Sequence, residues 1–143
     1  TPTISDPGVL LIDKVRKELP NTKIIPLPGA SALITALSAS GITSSTFTFY
    51  GFMPHKKGRE TLFKTIAESN HTSVFYESVH RIEKTLESLS LMLQTERLVV
   101  VGRELTKMHE EVIRGTSVEV KEYFIANKDH LRGEFVVVVE GCK

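Results

Sequence analysis

"GEFVVVVEG", residues 133–141, is the stretch whose reading decides the architecture. Five consecutive apolar residues, Phe135 to Val139, leave no polar face for solvent, so the segment reads as a strand covered on both sides. Working outward, "RLVVVGREL" (97–105) and "TSVFYE" (72–77) read as further strands, and "TFTFYGF" (46–52) alternates like a half-buried one. "EVIRGT" (111–116) and "TKIIPL" (22–27) complete the strand set. Helical patterns separate them. "DPGVLLIDKVRKEL" (6–19) has Asp6 at the cap, Pro7 at the first helical position and Leu11, Val15 and Leu19 on one face. "ETLFKTIAES" (60–69) buries Leu62, Phe63 and Ile66, and "SVHRIEKTLESLSLML" (78–93) aligns Ile82, Leu86, Leu89 and Leu93 behind a Ser78 cap. "SVEVKEYFIANK" (117–128) reads as the last helix. Strands alternating with helices predict an α/β layered domain.

A helix built from tiny residues interrupts this ordinary pattern. In "PLPGASALITALSASG" (26–41) only Leu33, Ile34 and Leu37 are large after Gly29, enough for a narrow buried stripe. Ser31 is placed to cap the helix and Gly41 to end it. The remaining Gly, Ala, Ser and Thr surface suits tight packing on a sheet, and equally the close approach of a ligand to free N–H groups at a helix start.

The 143 residues are enough for one domain with a proper core, and a composition 41% hydrophobic and 24% charged is that of an ordinary globular protein. A net charge of +1 gives no global pull toward nucleic acid, so any such site is a local patch. No apolar run reaches membrane-spanning length. The single cysteine, Cys142, fits a reducing cytoplasm and excludes a thiolate metal site. The histidines at 55, 71, 80, 109 and 130 match no metal-ligand spacing, and neither a P-loop nor a nucleophile elbow occurs. The opening "TPTISDPG" lacks an initiator Met and reads as a loop entering a helix, which suggests that an N-terminal portion is missing.

Four polar loops sit at strand ends, where α/β proteins bind ligands. They are "SDPG" (5–8), "PLPGAS" (26–31), "FYESVHR" (75–81) and "GRELTKMHEE" (102–111). Lys56, Lys57 and Arg59 share one loop, Arg81 and Lys84 open a helix, and Arg103 and Lys107 share another loop. Converging, these cations can meet phosphates, and Phe52, with Tyr50 nearby, offers stacking to an unpaired base.

Together, "SDPG", "PLPGASALITALSASG", "FTFYGFMPHKKGR", "SVFYESVHRI", "GRELTKMHEE" and "GEFVVVVEG" resemble, in this order, the bacterial ribosomal RNA small-subunit methyltransferase I family, a branch of the tetrapyrrole methylase superfamily. The resemblance covers nearly the whole chain, with "FMP" where "FLP" is usual. It implies a mixed β-sheet flanked by helices, residues 1–28 being the tail of an N-terminal methylase domain and 29–143 the C-terminal domain. It implies S-adenosylmethionine as cofactor, small-subunit ribosomal RNA as partner, a homodimer, no metal, and 2′-O-methylation of a cytidine ribose. The segments implied to line the cofactor contain Asp6, Pro28, Gly29, Ser31, Ala32, Tyr76, Glu77, Ser78, Arg103, Glu104, Leu105 and Gly133. Glu77, Glu104 and Lys107 are the catalytic candidates, beside His80 and Glu110, and Lys56, Lys57, Arg59 and Arg81 are the RNA contacts. A porphyrinoid methyltransferase and a non-catalytic RNA-docking or dimerisation module are the alternatives. The chain is expected to fold without catalysing on its own.

Overall fold

The computed structural model describes residues 1–142, which divide into two compact units, Thr1–Ser31 and Ala32–Lys143.

The first unit holds one helix, α1 (Gly8–Glu18). Pro7 is its N-cap, and the Asp6 carboxylate accepts the Gly8 N–H at 2.8 Å, satisfying a donor that the helix start leaves open. None of the residues of α1 is buried, and Val9, Leu10 and Leu11 stay exposed. Leu19 falls just outside the helix as its C-cap. The expected strand at 22–27 does not form. A strand requires a paired neighbour, and this unit contains none for "TKIIPL" to join.

The second unit is a mixed sheet between helices. Its strands are β1 (Phe47–Phe52), β2 (Thr72–Ser78), β3 (Leu98–Arg103), β4 (Glu111–Thr116) and β5 (Glu134–Val139). Their spatial order is β1-β2-β5-β3-β4. The β1–β2 pair is parallel and every other pair antiparallel. The closing strand of the sequence is therefore the central strand of the sheet, as its apolar run requires. Phe135, Val137 and Val139 enter one core with α3 (Arg59–Glu68), α4 (Ile82–Met92) and α5 (Ser117–Ala126). Val136 and Val138 enter another under α2 (Ala32–Ser40).

The small-residue helix is α2, and it buries Leu33, Ala36, Leu37 and Ser40. Ile34, expected in the stripe, is 51% exposed, because the buried face follows the 33/36/37/40 spacing and Ile34 lies off it. Gly41 ends the helix at φ +64°, a conformation natural to glycine. In α4 the expected Ser78 cap is not used. Ser78 ends β2 and the helix begins at Ile82, while Ile82, Leu86, Leu89 and Leu93 are buried as expected. A full capping box, Thr116 with Glu119, opens α5.

One buried charge ties the lower end of this unit together. Arg97 is 4% exposed and donates to the carbonyls of Glu140 (2.6 Å), Ile66 (2.8 Å) and Ala67. It thereby caps the C-terminus of α3 and holds the end of β5 to the same point. Burial lowers its pKa, opposed by Cys142 and Glu140. Replacing Arg97 by Met keeps the stem and orphans these carbonyls, each costing about 1–3 kcal/mol if left unpaired. Urea unfolding is expected to show a loss of about 3 kcal/mol. A loss within experimental error would mean that water replaces the guanidinium without cost.

Candidate functional site

The register places the chemistry-bearing loops of the second unit on one rim of the sheet. Ser78 at the end of β2 pairs with Glu134 at the start of β5, and Phe135 pairs with Arg103 at the end of β3. Arg103 in turn pairs with Glu111 at the start of β4, and Phe52 at the end of β1 lies opposite Tyr76. The loops 53–58, 79–81, 104–110 and 127–133 therefore leave the sheet on the same side. Tyr76, Glu77, Ser78, Arg103, Glu104, Leu105, Lys107 and Gly133 come together along this rim. Ala32 opens α2, and Tyr76 packs against the core beneath that helix. Asp6, Pro28, Gly29 and Ser31 belong to the first unit.

Two side-chain clusters organise the rim. The first surrounds Glu77, whose side chain is fully buried. Its Oε1 accepts from Ser78 N and Arg81 Nε, both at 2.8 Å. Its Oε2 accepts from Arg59 Nη2 at 2.9 Å and Thr85 Oγ1 at 2.7 Å. Burial raises the carboxyl's pKa, but the bonds from Thr85, Arg81, the Ser78 N–H and Arg59 outweigh it and hold it below the ordinary range. Arg59 also donates to Pro54 O at 3.1 Å and lies 5.1 Å from the Phe63 ring centre. Arg59 and Arg81, expected on an RNA face, are thus turned inward with side chains only 16% exposed. Lys56, Lys57 and Phe52 remain exposed on or beside the same loop.

The second cluster knots loop 104–110 to the start of β5. Glu104 and Thr106 hold φ of +48° and +66°, unusual for residues with side chains. Glu104 Oε1 accepts from Glu134 N and from Lys107 Nζ, both at 2.9 Å. Lys107 also reaches Glu134 Oε2 at 3.0 Å. The Lys107 bond, then the Glu134 N–H, lowers the Glu104 pKa, and the same pairing, Glu104 first, raises that of Lys107. Glu104 lies over Gly133, where a Cβ would stand 2.4 Å from it. This contact fixes why residue 133 is a glycine, which also adopts φ +90°.

Behind the knot, Arg103 donates to Arg132 O at 2.9 Å and approaches Glu111 Oε2 at 3.4 Å. Glu111 accepts from the Tyr123 hydroxyl and meets His130 Nδ1 at 3.0 Å. The Glu111 bond raises the Tyr123 pKa. A cleft of about 370 Å³ opens here, lined by Arg103, Glu104, His109, Asp129, His130, Arg132 and Gly133. Sequence reasoning missed Glu111, Tyr123 and His130 as a group, since they come from β4, α5 and a short turn and share no spacing. Among the described residues no cluster of ligating side chains is arranged for a metal ion. His80, His109 and Glu110 are exposed, and Glu110 is tied back to the Thr106 N–H.

The depressed Glu77 pKa has a measurable consequence. The folded carboxyl binds its proton less readily than the unfolded one, so its stabilisation is complete above the unfolded value near pH 4–5 and fades as pH falls through the folded value. Glu77→Gln leaves two guanidiniums without their shared anion, a loss of about 3 kcal/mol at pH 7 on the scale of broken buried pairs. Urea unfolding should show this deficit shrinking toward pH 3. A deficit independent of pH would mean that the carboxylate charge contributes nothing.

Residues 1–121 match the model of the Tetrapyrrole (Corrin/Porphyrin) Methylases. The chain is 44% identical over 142 residues to the Haemophilus influenzae protein named ribosomal RNA small subunit methyltransferase I, covering 99% of this chain and 50% of that one. The Bacillus subtilis protein of the same name is 44% identical over 143 residues, covering 98% and 47%. The chain thus spans about half the length of these relatives. Among solved structures, the methyltransferase CobJ aligns at TM-score 0.69 and 20% identity, over 99% of this chain and 61% of that one. A Thermus thermophilus uroporphyrin-III C-methyl transferase complexed with S-adenosyl homocysteine aligns at TM-score 0.62 and 16% identity, over 97% and 61%. At these identities the structural likeness is one of fold. The match to the family model across most of the sequence settles the affiliation: the chain belongs to the tetrapyrrole (corrin/porphyrin) methylase family.

Proposed function

We propose that this chain is part of an S-adenosylmethionine-dependent methyltransferase that methylates the ribose 2′-hydroxyl of a cytidine in small-subunit ribosomal RNA, working as a homodimer in the cytoplasm. The observation that carries the reading is the common rim: the polar loops of the second unit leave one side of the sheet, in a chain 44% identical to ribosomal RNA methyltransferases by name.

The rim fits the cofactor chemically. Carboxylates of Glu104 and Asp129 and the exposed Arg132 line the cleft, a donor and acceptor set suited to a sulfonium cation with a zwitterionic amino-acid end. Bound there, the cofactor would supply an activated methyl group for the ribose oxygen, its carbon–sulfur bond breaking to leave S-adenosylhomocysteine and a proton. Lys107, held between Glu104 and Glu134, presents an ammonium to the oxygen as negative charge develops. Glu104 keeps that ammonium in place, and with Oε1 already accepting from Lys107 and the Glu134 N–H it leaves the proton to solvent. Glu77 acts at one remove. All four of its bonds are internal, and they fix the start of α3 and the turn before α4 beside the rim.

A porphyrinoid substrate is the second reading, favoured by the fold of the solved relatives. The exposed Lys56 and Lys57 favour a polyanion instead. Grafting these 143 residues over the matching half of the Haemophilus influenzae relative allows both to be assayed with tritiated S-adenosylmethionine. Label in a cytidine ribose of the small subunit is expected, and label on a porphyrinoid instead would overturn the reading. By calorimetry the 143 residues alone should bind S-adenosylmethionine more weakly than that relative, and equal affinity would place the whole pocket within them. Gly29 has no atom within 4 Å of the position of a Cβ, so Gly29→Val is expected to change stability by less than about 0.5 kcal/mol. In the graft it should weaken cofactor binding about tenfold, through lost backbone approach. Unchanged binding removes Gly29 from the pocket.

A further inference from the structure

An irregularity in β1 bears on how the RNA is held. Phe47, Thr48 and Phe49 pair in step with Thr72, Ser73 and Val74, but Phe52 then lies opposite Tyr76. One extra residue has been inserted in β1, and Gly51, at φ +66°, absorbs it. The bulge changes which face each later side chain takes. In an unbroken strand Phe52 would share the face of Tyr50, which packs on the larger core. Instead Met53 enters that core, 1% exposed, and Phe52 joins Phe49 and Tyr76 on the face of α2.

There it forms the outer member of an aromatic row. The Tyr76 ring lies 5.0 Å from Phe49 and 5.3 Å from Phe52, centre to centre. Tyr76 is itself held by packing against the core beneath α2. Phe52 remains 56% exposed, so its orientation is supported from behind while one side stays open to the rim. The chain runs from it directly into the loop carrying the exposed Lys56 and Lys57.

We propose that Phe52 is a stacking platform for an unpaired nucleobase of the RNA substrate, with Lys56 and Lys57 meeting the phosphates beside it. The proposal rests on the RNA reading above and adds where the strand is gripped. Sequence-specific RNA recognition targets single-stranded segments whose unstacked bases stack on aromatic side chains, and an exposed ring held from behind offers such a face. The adenine of the cofactor has a similar face, but S-adenosylmethionine carries no phosphate, so the neighbouring lysines favour RNA.

The test uses the 143-residue chain and a single-stranded oligoribonucleotide bearing 2-aminopurine at one position, titrated by fluorescence over a range of salt. The wild type is expected to quench the probe. Phe52→Leu should lose the quench and about tenfold in affinity with the salt slope unchanged, while Phe52→Tyr retains both. Lys56→Ala with Lys57→Ala should flatten the salt slope. Equal thermal melting of the variants excludes a folding effect. If Phe52→Leu binds and quenches as the wild type does, the platform is overturned while the RNA reading stands on the lysines. Relief of the quench by S-adenosylhomocysteine would assign the ring to the cofactor and overturn the proposal. Absence of any RNA binding by the wild type overturns it together with the RNA contacts. A failed methyl-transfer assay with quenching intact counts against the reaction alone.

Discussion

Strand β5 has no face turned to solvent, and the rest of the second unit follows from covering it. Phe135, Val137 and Val139 require helices on one side, and Val136 and Val138 require α2 on the other. Both edges must also be paired, by β2 and β3, since an unpaired backbone in a dry environment is costly. Because both partners run antiparallel to β5, they point the same way, and their ends arrive together at the start of β5. The rim is thus a consequence of the central strand's burial. Substrate chemistry needs loops that converge, and the hydrophobic requirement of one strand makes them converge.

Two buried charges hold the opposite ends of this sheet, and they do it differently. Arg97, at the end remote from the rim, spends its donors on backbone carbonyls and anchors a helix C-terminus, with no carboxylate of the described residues in contact. Glu77, at the rim, is an anion shared by two arginines from separate elements. Backbone carbonyls suit a permanent anchor, because they do not titrate. A carboxylate between two guanidiniums leaves a net positive charge close to the surface at the rim.

The sequence made much of this legible. The apolar runs located β3 and β5, and the apolar spacing of 82, 86, 89 and 93 located the buried face of α4. These readings succeed because burial is periodic and periodicity is local. Three kinds of feature were not legible. "TKIIPL" has strand composition but lacks a partner in its unit, and pairing is not a local property. Arg59 and Arg81 look like surface cations, and only the fold brings Glu77 between them. The Glu111–Tyr123–His130 group is assembled from three elements by the β3–β4 register and the packing of α5. Spacing in sequence carries no trace of it.

In the small-residue helix the structure shows the packing reading directly. Its buried face, Leu33, Ala36, Leu37 and Ser40, packs on the sheet, as tight packing requires. Its other face presents Ala32, Ser38 and Ala39, exposed and small, together with the larger Ile34. Small side chains on the packed face let α2 lie close to the sheet, over the cluster in which Tyr76 packs. That packing holds Tyr76, Tyr76 supports Phe52, and the bulge at Gly51 determines that Phe52 stands on this face at all. A change that enlarged Ala36 would act first on packing and then, through Tyr76, on the exposed aromatic ring at the rim. Packing and the placement of the exposed ring are therefore successive links of one chain of contacts, and the residue sizes in α2 bear on both.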